Sequence, residues 1–333
     1  MAMRDIIGQE YVQRVLSNSI KKERVAHAYL LVGEDGAQKT EMALNFAKAL
    51  NCSRGDGDSC DACLSCRKVE AGNHPDVRVI TPDGVSLKIA QMRDLSREAW
   101  MRPLEGEWKV FIIEQAHKMT TEAGNSLLKL LEEPPGRAVL VLTCIQPWGL
   151  LPTIVSRCQV IEFRPVAPED IERALVQQGT PPDTARFLAM FSNGVLRKAL
   201  EFWNSPEFTA CREQVVEWFF ALEAMDDAQV LSLAQEVTGQ DGAAPYVLDL
   251  FQGLFRDLLV LTSGGDTESR QVPVMNLDKQ ASLEGKARSI PVKAALKGVK
   301  IIEQTKQYLD GNVNRRLALE VMFFQLQSVL KEG

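Results

Sequence analysis

The stretch over residues 28–40 restricts the fold more than any other. Ala28–Val32 is a short, uncharged apolar run, suited to a strand buried on both faces. It passes directly into Gly33-Glu-Asp-Gly-Ala-Gln-Lys-Thr40 and then into a segment with Met42, Ala43, Phe46 and Leu50 on one helical face. A buried strand followed by a glycine-bearing loop and a helix must cross back over its sheet. Its neighbours are therefore parallel, and helices cover both faces. The first half repeats the pattern. Val77–Ile80, Lys109–Ile113 and 138–143 read as further buried strands, and 159–163 as a fifth. Helical patterns at 88–100 and 120–132 separate them, and a helix at 9–22 with Val12, Val15, Leu16 and Ile20 on one face precedes them. The expected fold over 1–165 is α/β, with a five-stranded parallel sheet.

After Arg164-Pro165 the strand signal ends. Short helices are predicted at 168–178, 183–192 and 194–204, which mark out a small helical domain over 166–206. Longer ones follow at 207–223, 227–238, 244–262, 291–309 and 312–331, giving an all-α domain over 207–333. The polar, glycine-bearing stretch 262–273 reads as a loop. The net charge of −6 excludes a chain that sleeves nucleic acid along its whole surface. The N-terminus leads into an amphipathic segment rather than an apolar one, and no apolar run reaches the roughly 18 residues of a membrane span. A soluble cytosolic protein with no membrane partner is expected. In that compartment the seven cysteines argue for metal or free thiols rather than disulfides.

Three constellations carry chemistry. Residues 33–40 have the setting of a phosphate-binding P-loop, whose backbone N–H groups and helix N-terminus cradle an anion. Gly33, Gly36, Lys39 and Thr40 are in place, but Gln38 stands where glycine normally precedes the lysine. Its side chain crowds the phosphate, and a positive φ there would be strained. Both a weak nucleotide site and an empty turn remain open. Glu114 closes the run Lys109–Ile113 like the metal-side acid of an ATPase, yet Gln115 follows where a second carboxylate would orient water. Little or no intrinsic hydrolysis is expected, and His117 is read as structural. Cys52, Cys60, Cys63 and Cys66 supply four thiolates at the spacing of a closed tetrahedral zinc site, with an iron–sulfur cluster or free thiols as the alternatives. Cys144, Cys158 and Cys211 read as small core residues.

Several segments together resemble the bacterial clamp loaders of DNA polymerase III. They are Ile7-Gly8-Gln9-Glu10, His27-Ala28-Tyr29-Leu30, the four-cysteine insertion, Ala71-Gly-Asn-His74-Pro75-Asp76, Leu127-Leu-Lys-Leu-Leu-Glu132-Glu133-Pro134-Pro135 and Ser156-Arg157-Cys158. They span 1–165; residues 166–333 match in helical layout and length. The resemblance implies a RecA-like AAA+ domain, a helical lid and a helical collar that builds a hetero-pentamer with gamma/tau and delta subunits. It also implies a sliding clamp and primed DNA as partners reached through the ring. Gln38, Gln115, and Cys144 and Ile145 at the sensor positions favour a sister subunit over the gamma/tau ATPase itself, as does a length without room for the tau tail. By the same resemblance, Arg157 is an arginine finger for a neighbour's ATP, or else a surface arginine in a salt bridge. Arg197 is a lid sensor for nucleotide, or else a structural salt bridge. A gamma/tau-like ATPase, a stand-alone zinc-dependent nucleic-acid binder and a scaffold outside replication are the rival readings.

Overall fold

The computed structural model describes residues 2–239, 244–263, 273–311 and 313–331. Five strands, β1 (Ala28–Val32), β2 (Val77–Ile80), β3 (Lys109–Ile113), β4 (Ala138–Cys144) and β5 (Gln159–Glu162), form one sheet in the order β2-β3-β4-β1-β5. Every pairing is parallel. β1, β3 and β4 are buried along their whole lengths. β2 and β5 correct the expectation of uniformly buried strands: each has one neighbour only, and Val79, Gln159, Val160 and Glu162 are exposed.

Side chains alternate between two cores, as the two-residue period of a strand requires. On one face Leu30, Phe111 and Leu140 pack with α4 (Ile89–Ala99), α5 (Thr121–Glu132) and α6 (Pro152–Val155), through Met92, Leu95, Leu127, Leu131 and Ile154. On the other, Tyr29, Leu31, Ile112 and Val141 pack with α1 (Glu10–Lys21) and α2 (Lys39–Leu50), through Leu16, Met42 and Phe46. Because the strands are parallel, the loops after β1, β3 and β4 gather at one end of the sheet, where open α/β folds place their ligands. Hydrogen bonds tie these loops together. The Gly33 N–H donates to the Cys144 carbonyl at 3.1 Å, and the Gln115 N–H to Thr143 Oγ1 at 3.1 Å.

A short helix absent from the sequence expectation, α3 (Leu64–Glu70), follows α2. Beyond β5 the described chain is helical: α7 (Pro168–Gln177), α8 (Pro182–Phe191), α9 (Leu196–Trp203), α10 (Pro206–Ala221), α11 (Asp227–Gly239), α12 (Ala244–Ser263), α13 (Gln280–Ala287), α14 (Val292–Asp310) and α15 (Arg315–Lys331). α13 was not anticipated, because Leu283 alone in it is buried and the apolar period is weak. α15 starts at Arg315 rather than 312. Of the predicted loop at 262–273, residues 264–272 lie outside the described residues.

The chain divides into two compact units, Met1–Ile171 with Gly194–Arg197 and Glu172–Asn193 with Lys198–Gly333. The second unit has its own core of Phe219, Phe251, Phe255 and Phe323. Gly298 in α14 lies against the Phe255 ring, so a side chain there would push α14 off α12. Asp257, fully buried in α12, accepts the N–H groups of Met275 and Asn276 at 2.8 Å each and so fastens the segment that leads into α13.

Candidate functional site

The phosphate loop has the letters of a nucleotide site and an altered geometry. Gln38 is in the left-handed region, φ 59° and ψ 25°, which a non-glycine residue enters only at a cost. The strain foreseen for a positive φ is therefore present. The Lys39 ammonium is buried and donates to the carbonyls of its own loop, Gly33 at 2.5 Å and Glu34 at 2.6 Å. Burial pulls its pKa below the ordinary lysine range, opposed first by the Asp35 carboxylate. Above the loop lies the start of α9. A Cβ added at Gly36 would stand 2.9 Å from Val195 Cγ1 and 3.7 Å from Arg197 Cβ. Arg197 pairs with Glu41 of α2 at 3.8 Å. Thus Gly33, Gly36, Lys39 and Arg197 do converge, but the loop's cation is engaged by backbone and its crown is covered.

Glu114 follows β3, its N–H donating to the Ile80 carbonyl at 2.9 Å. Gln115 shares the left-handed conformation, φ 50°, so the two glutamines that depart from an ATPase pattern both sit in strained backbone. Burial pulls the His117 imidazole below its ordinary range, its Nδ1 is buried without a partner, and its Cβ packs on Gly149.

The cysteine cluster is geometrically complete. The sulfurs of Cys52, Cys60, Cys63 and Cys66 all lie within 4.8 Å of one another. A tetrahedron of Zn–S bonds near 2.3 Å has sulfur–sulfur edges of about 3.8 Å, so a small contraction would close the site. The Cys63 N–H donates to Cys60 Sγ at 3.3 Å, and the Cys66 N–H to Cys63 Sγ at 3.4 Å. Burial pushes the Cys63 thiol up, but N–H groups of Cys66 and Ser53 outweigh it and bring it down to about 6. Burial and the neighbouring Cys63 push Cys66 up to about 12. A thiolate–thiol set held this way fits a thiophilic cation. Cys144 is buried, while Cys158 and Cys211 are half-buried.

The supports of this cluster were not foreseen. Asp76 accepts the N–H groups of Leu104, Glu105 and Gly106, each at 2.8 Å. Burial alone would push its carboxyl up; these donors win and hold it below the usual carboxylate range. His74 Nδ1 accepts the Asp76 N–H at 3.1 Å, and its Nε2 meets Ser65 Oγ of α3 at 3.1 Å. Lys48 of α2, almost wholly buried, pairs with Asp61, which lies between Cys60 and Cys63, and with Glu70 at the end of α3. Asp58 accepts the Met3 N–H at 3.0 Å. The signal available in the sequence was the run His74-Pro75-Asp76; its partners are too distant along the chain to be read from spacing.

Arg157 stands where α6 gives way to β5, half-exposed at the border of the sheet. Its Nη2 donates to Glu132 Oε1 at 2.8 Å and its Nη1 to the Thr153 carbonyl at 3.0 Å.

Residues 8–167 match the family described as "DNA polymerase III, delta subunit", and residues 206–328 match "DNA polymerase III, delta subunit, C terminal". Together with a five-stranded parallel sheet and a helical C-terminal part, these matches define the class: an α/β protein of the DNA polymerase III delta type. The chain is 34% identical over 326 residues to DNA polymerase III subunit delta' of Bacillus subtilis, covering 96% of each chain. It belongs to the delta' family of DNA polymerase III. It is also 33% identical to DNA polymerase III subunit tau of Escherichia coli over 72% of this chain, spanning 38% of that protein. Among solved structures, a gamma-subunit-related protein of Thermotoga maritima aligns over 97% of this chain and 99% of its own at 18% identity, TM-score 0.43.

Proposed function

We propose that this chain is a non-hydrolysing member of a clamp-loader ring with gamma/tau and delta subunits, a hetero-pentamer that loads the sliding clamp onto primed DNA. In this reading Cys52, Cys60, Cys63 and Cys66 hold a structural zinc ion, which would supply no chemistry beyond cross-linking the loop. Residues 166–206 act as the lid and 207–333 as the collar that holds the ring. The phosphate loop turns over no ATP and binds it weakly or not at all. The chain's contribution to catalysis is Arg157, offered in trans to the ATP of a neighbouring subunit, where a guanidinium can pair with the γ-phosphate as that bond breaks.

The observation that supports this best is the phosphate loop itself. Its lysine is bonded to Gly33 and Glu34 rather than held out for a phosphate, so the chain's role is expected to lie in what it lends to others. The test is steady-state ATP hydrolysis by rings reconstituted with wild-type or Arg157→Ala chains, with clamp and primed DNA present. The expected result is unchanged assembly and a partial fall in stimulated turnover, because the remaining sites keep their own arginines. Equal rates in the two rings would end the trans role of Arg157.

A further inference from the structure

We infer that Glu132 is the positioning residue for Arg157, an inference that rests on the reading of Arg157 given above. The guanidinium is anchored at both terminal nitrogens. Nη2 donates to Glu132 Oε1 at 2.8 Å, and Nη1 donates to the Thr153 carbonyl at 3.0 Å and reaches Ser156 Oγ at 3.5 Å. The acceptors come from two different elements, the last residue of α5 and the α6 turn. A long, flexible side chain is thereby held in one plane while 35% of it stays exposed. A guanidinium has five N–H donors and three acceptors use them here, so a phosphate oxygen can be added without breaking the anchors.

Two physical arguments say the pair serves orientation rather than the fold. An ion pair this exposed, with Glu132 at 51%, is screened by water and salt and adds little to stability. Glu132 also closes α5 at the end where the helix dipole disfavours a carboxylate, so α5 itself gains nothing from it. What the pair does is remove rotational freedom from Arg157 before a neighbour arrives, and a positioned group acts in the rate step rather than in ground-state binding.

The experiment uses complete rings carrying Glu132→Ala, Glu132→Gln, Arg157→Ala or the double change, with kcat and KM for ATP measured under clamp and DNA stimulation. Glu132→Ala is expected to reproduce at least about half of the loss seen with Arg157→Ala, in kcat and not in KM. Glu132→Gln should recover most of it, since the amide oxygen still accepts at the same place. Adding Glu132→Ala to Arg157→Ala should change nothing further. Full activity of the Glu132→Ala ring beside a slow Arg157→Ala ring overturns the positioning role and leaves the Arg157 reading standing. An equal further loss in the double variant shows that Glu132 acts elsewhere, which also overturns it. A fully active Arg157→Ala ring removes the Arg157 reading, and this inference with it.

Discussion

Two loops flank helix α2, and they have fared differently. The loop before it, 33–38, leads into the lysine and threonine of a nucleotide site at the start of α2, yet Lys39 donates to the loop's own carbonyls and Gln38 is bent into the left-handed region. The segment after it, 52–66, retains four cysteines, the last of them in α3, and their sulfurs face one another within 4.8 Å. In the first the polar groups have found partners inside the chain. In the second four sulfurs converge on one another, and Cys60 and Cys63 accept backbone N–H groups from neighbouring residues of the same segment. Retained letters therefore do not tell whether a site is retained. What tells is what a ligand would displace: the Lys39 ammonium must give up two hydrogen bonds to reach a phosphate, whereas a sulfur can keep an N–H donor while it binds a cation.

The largest effect should come from the cysteine loop. Cys63→Ser is expected to lower zinc content from about one ion per chain and to destabilise the protein by on the order of 3 kcal/mol, with proteolysis starting in 52–66 rather than in the sheet. Metal analysis and denaturant titration measure this. A metal-free wild-type protein, purified without chelator or oxidant, would erase the contrast between the two loops.

Asp76 sharpens it by separating the proposed zinc site from its scaffold. Asp76→Ala leaves three N–H groups around a vacated carboxylate and should cost about 2–3 kcal/mol with zinc still bound. The pH dependence has a definite sign. The folded carboxyl lies below its unfolded value of about 3.9, so its stabilisation is present above that pH and is lost as pH falls through the folded value. Urea midpoints between neutral and acid pH should fall less steeply for Asp76→Asn than for wild type. Parallel curves would show that the Asp76 charge does not carry this anchor.

The sheet and the cysteine cluster were legible because each is written in local spacing. Ala28–Val32 and Lys109–Ile113 are unbroken apolar runs, and Cys60, Cys63 and Cys66 recur every third residue. The burial of β2 and β5 was not legible, because it depends on how many neighbours a strand has, and the strand order is a global property. The role of Asp76 was hidden for a similar reason: its donors lie 28, 29 and 30 residues ahead. At the phosphate loop, composition flagged Gln38 as a departure. That Lys39 turns to Gly33 and Glu34 depends on backbone carbonyls, which every residue has and no spacing marks. A salt bridge was one of the two readings of Arg157, but its partner Glu132 was not legible, because it lies 25 residues away in the chain.

The smallest expected effect concerns Gln38, and it bears on the comparison most directly. Its backbone, φ 59° and ψ 25°, is one that glycine adopts without strain, so Gln38→Gly should relieve a local cost. Part of that gain is returned because glycine also frees the unfolded chain, leaving a net stabilisation of about 0.5–1 kcal/mol. The change also removes the side chain that crowds an incoming phosphate. Two obstacles remain nevertheless. The Lys39 ammonium must still leave two carbonyls to reach a phosphate, and Val195 and Arg197 still lie over Gly36. Gln38→Gly is therefore expected to raise thermal stability slightly while nucleotide affinity stays weak. Calorimetry of wild type and variant with a non-hydrolysable ATP analogue, beside melting curves without it, measures both quantities. Tight binding by the variant alone would mean that one side chain closed the site and that the Lys39 bonds are readily given up. Tight binding by both chains would mean that the first loop, like the second, is still a ligand site.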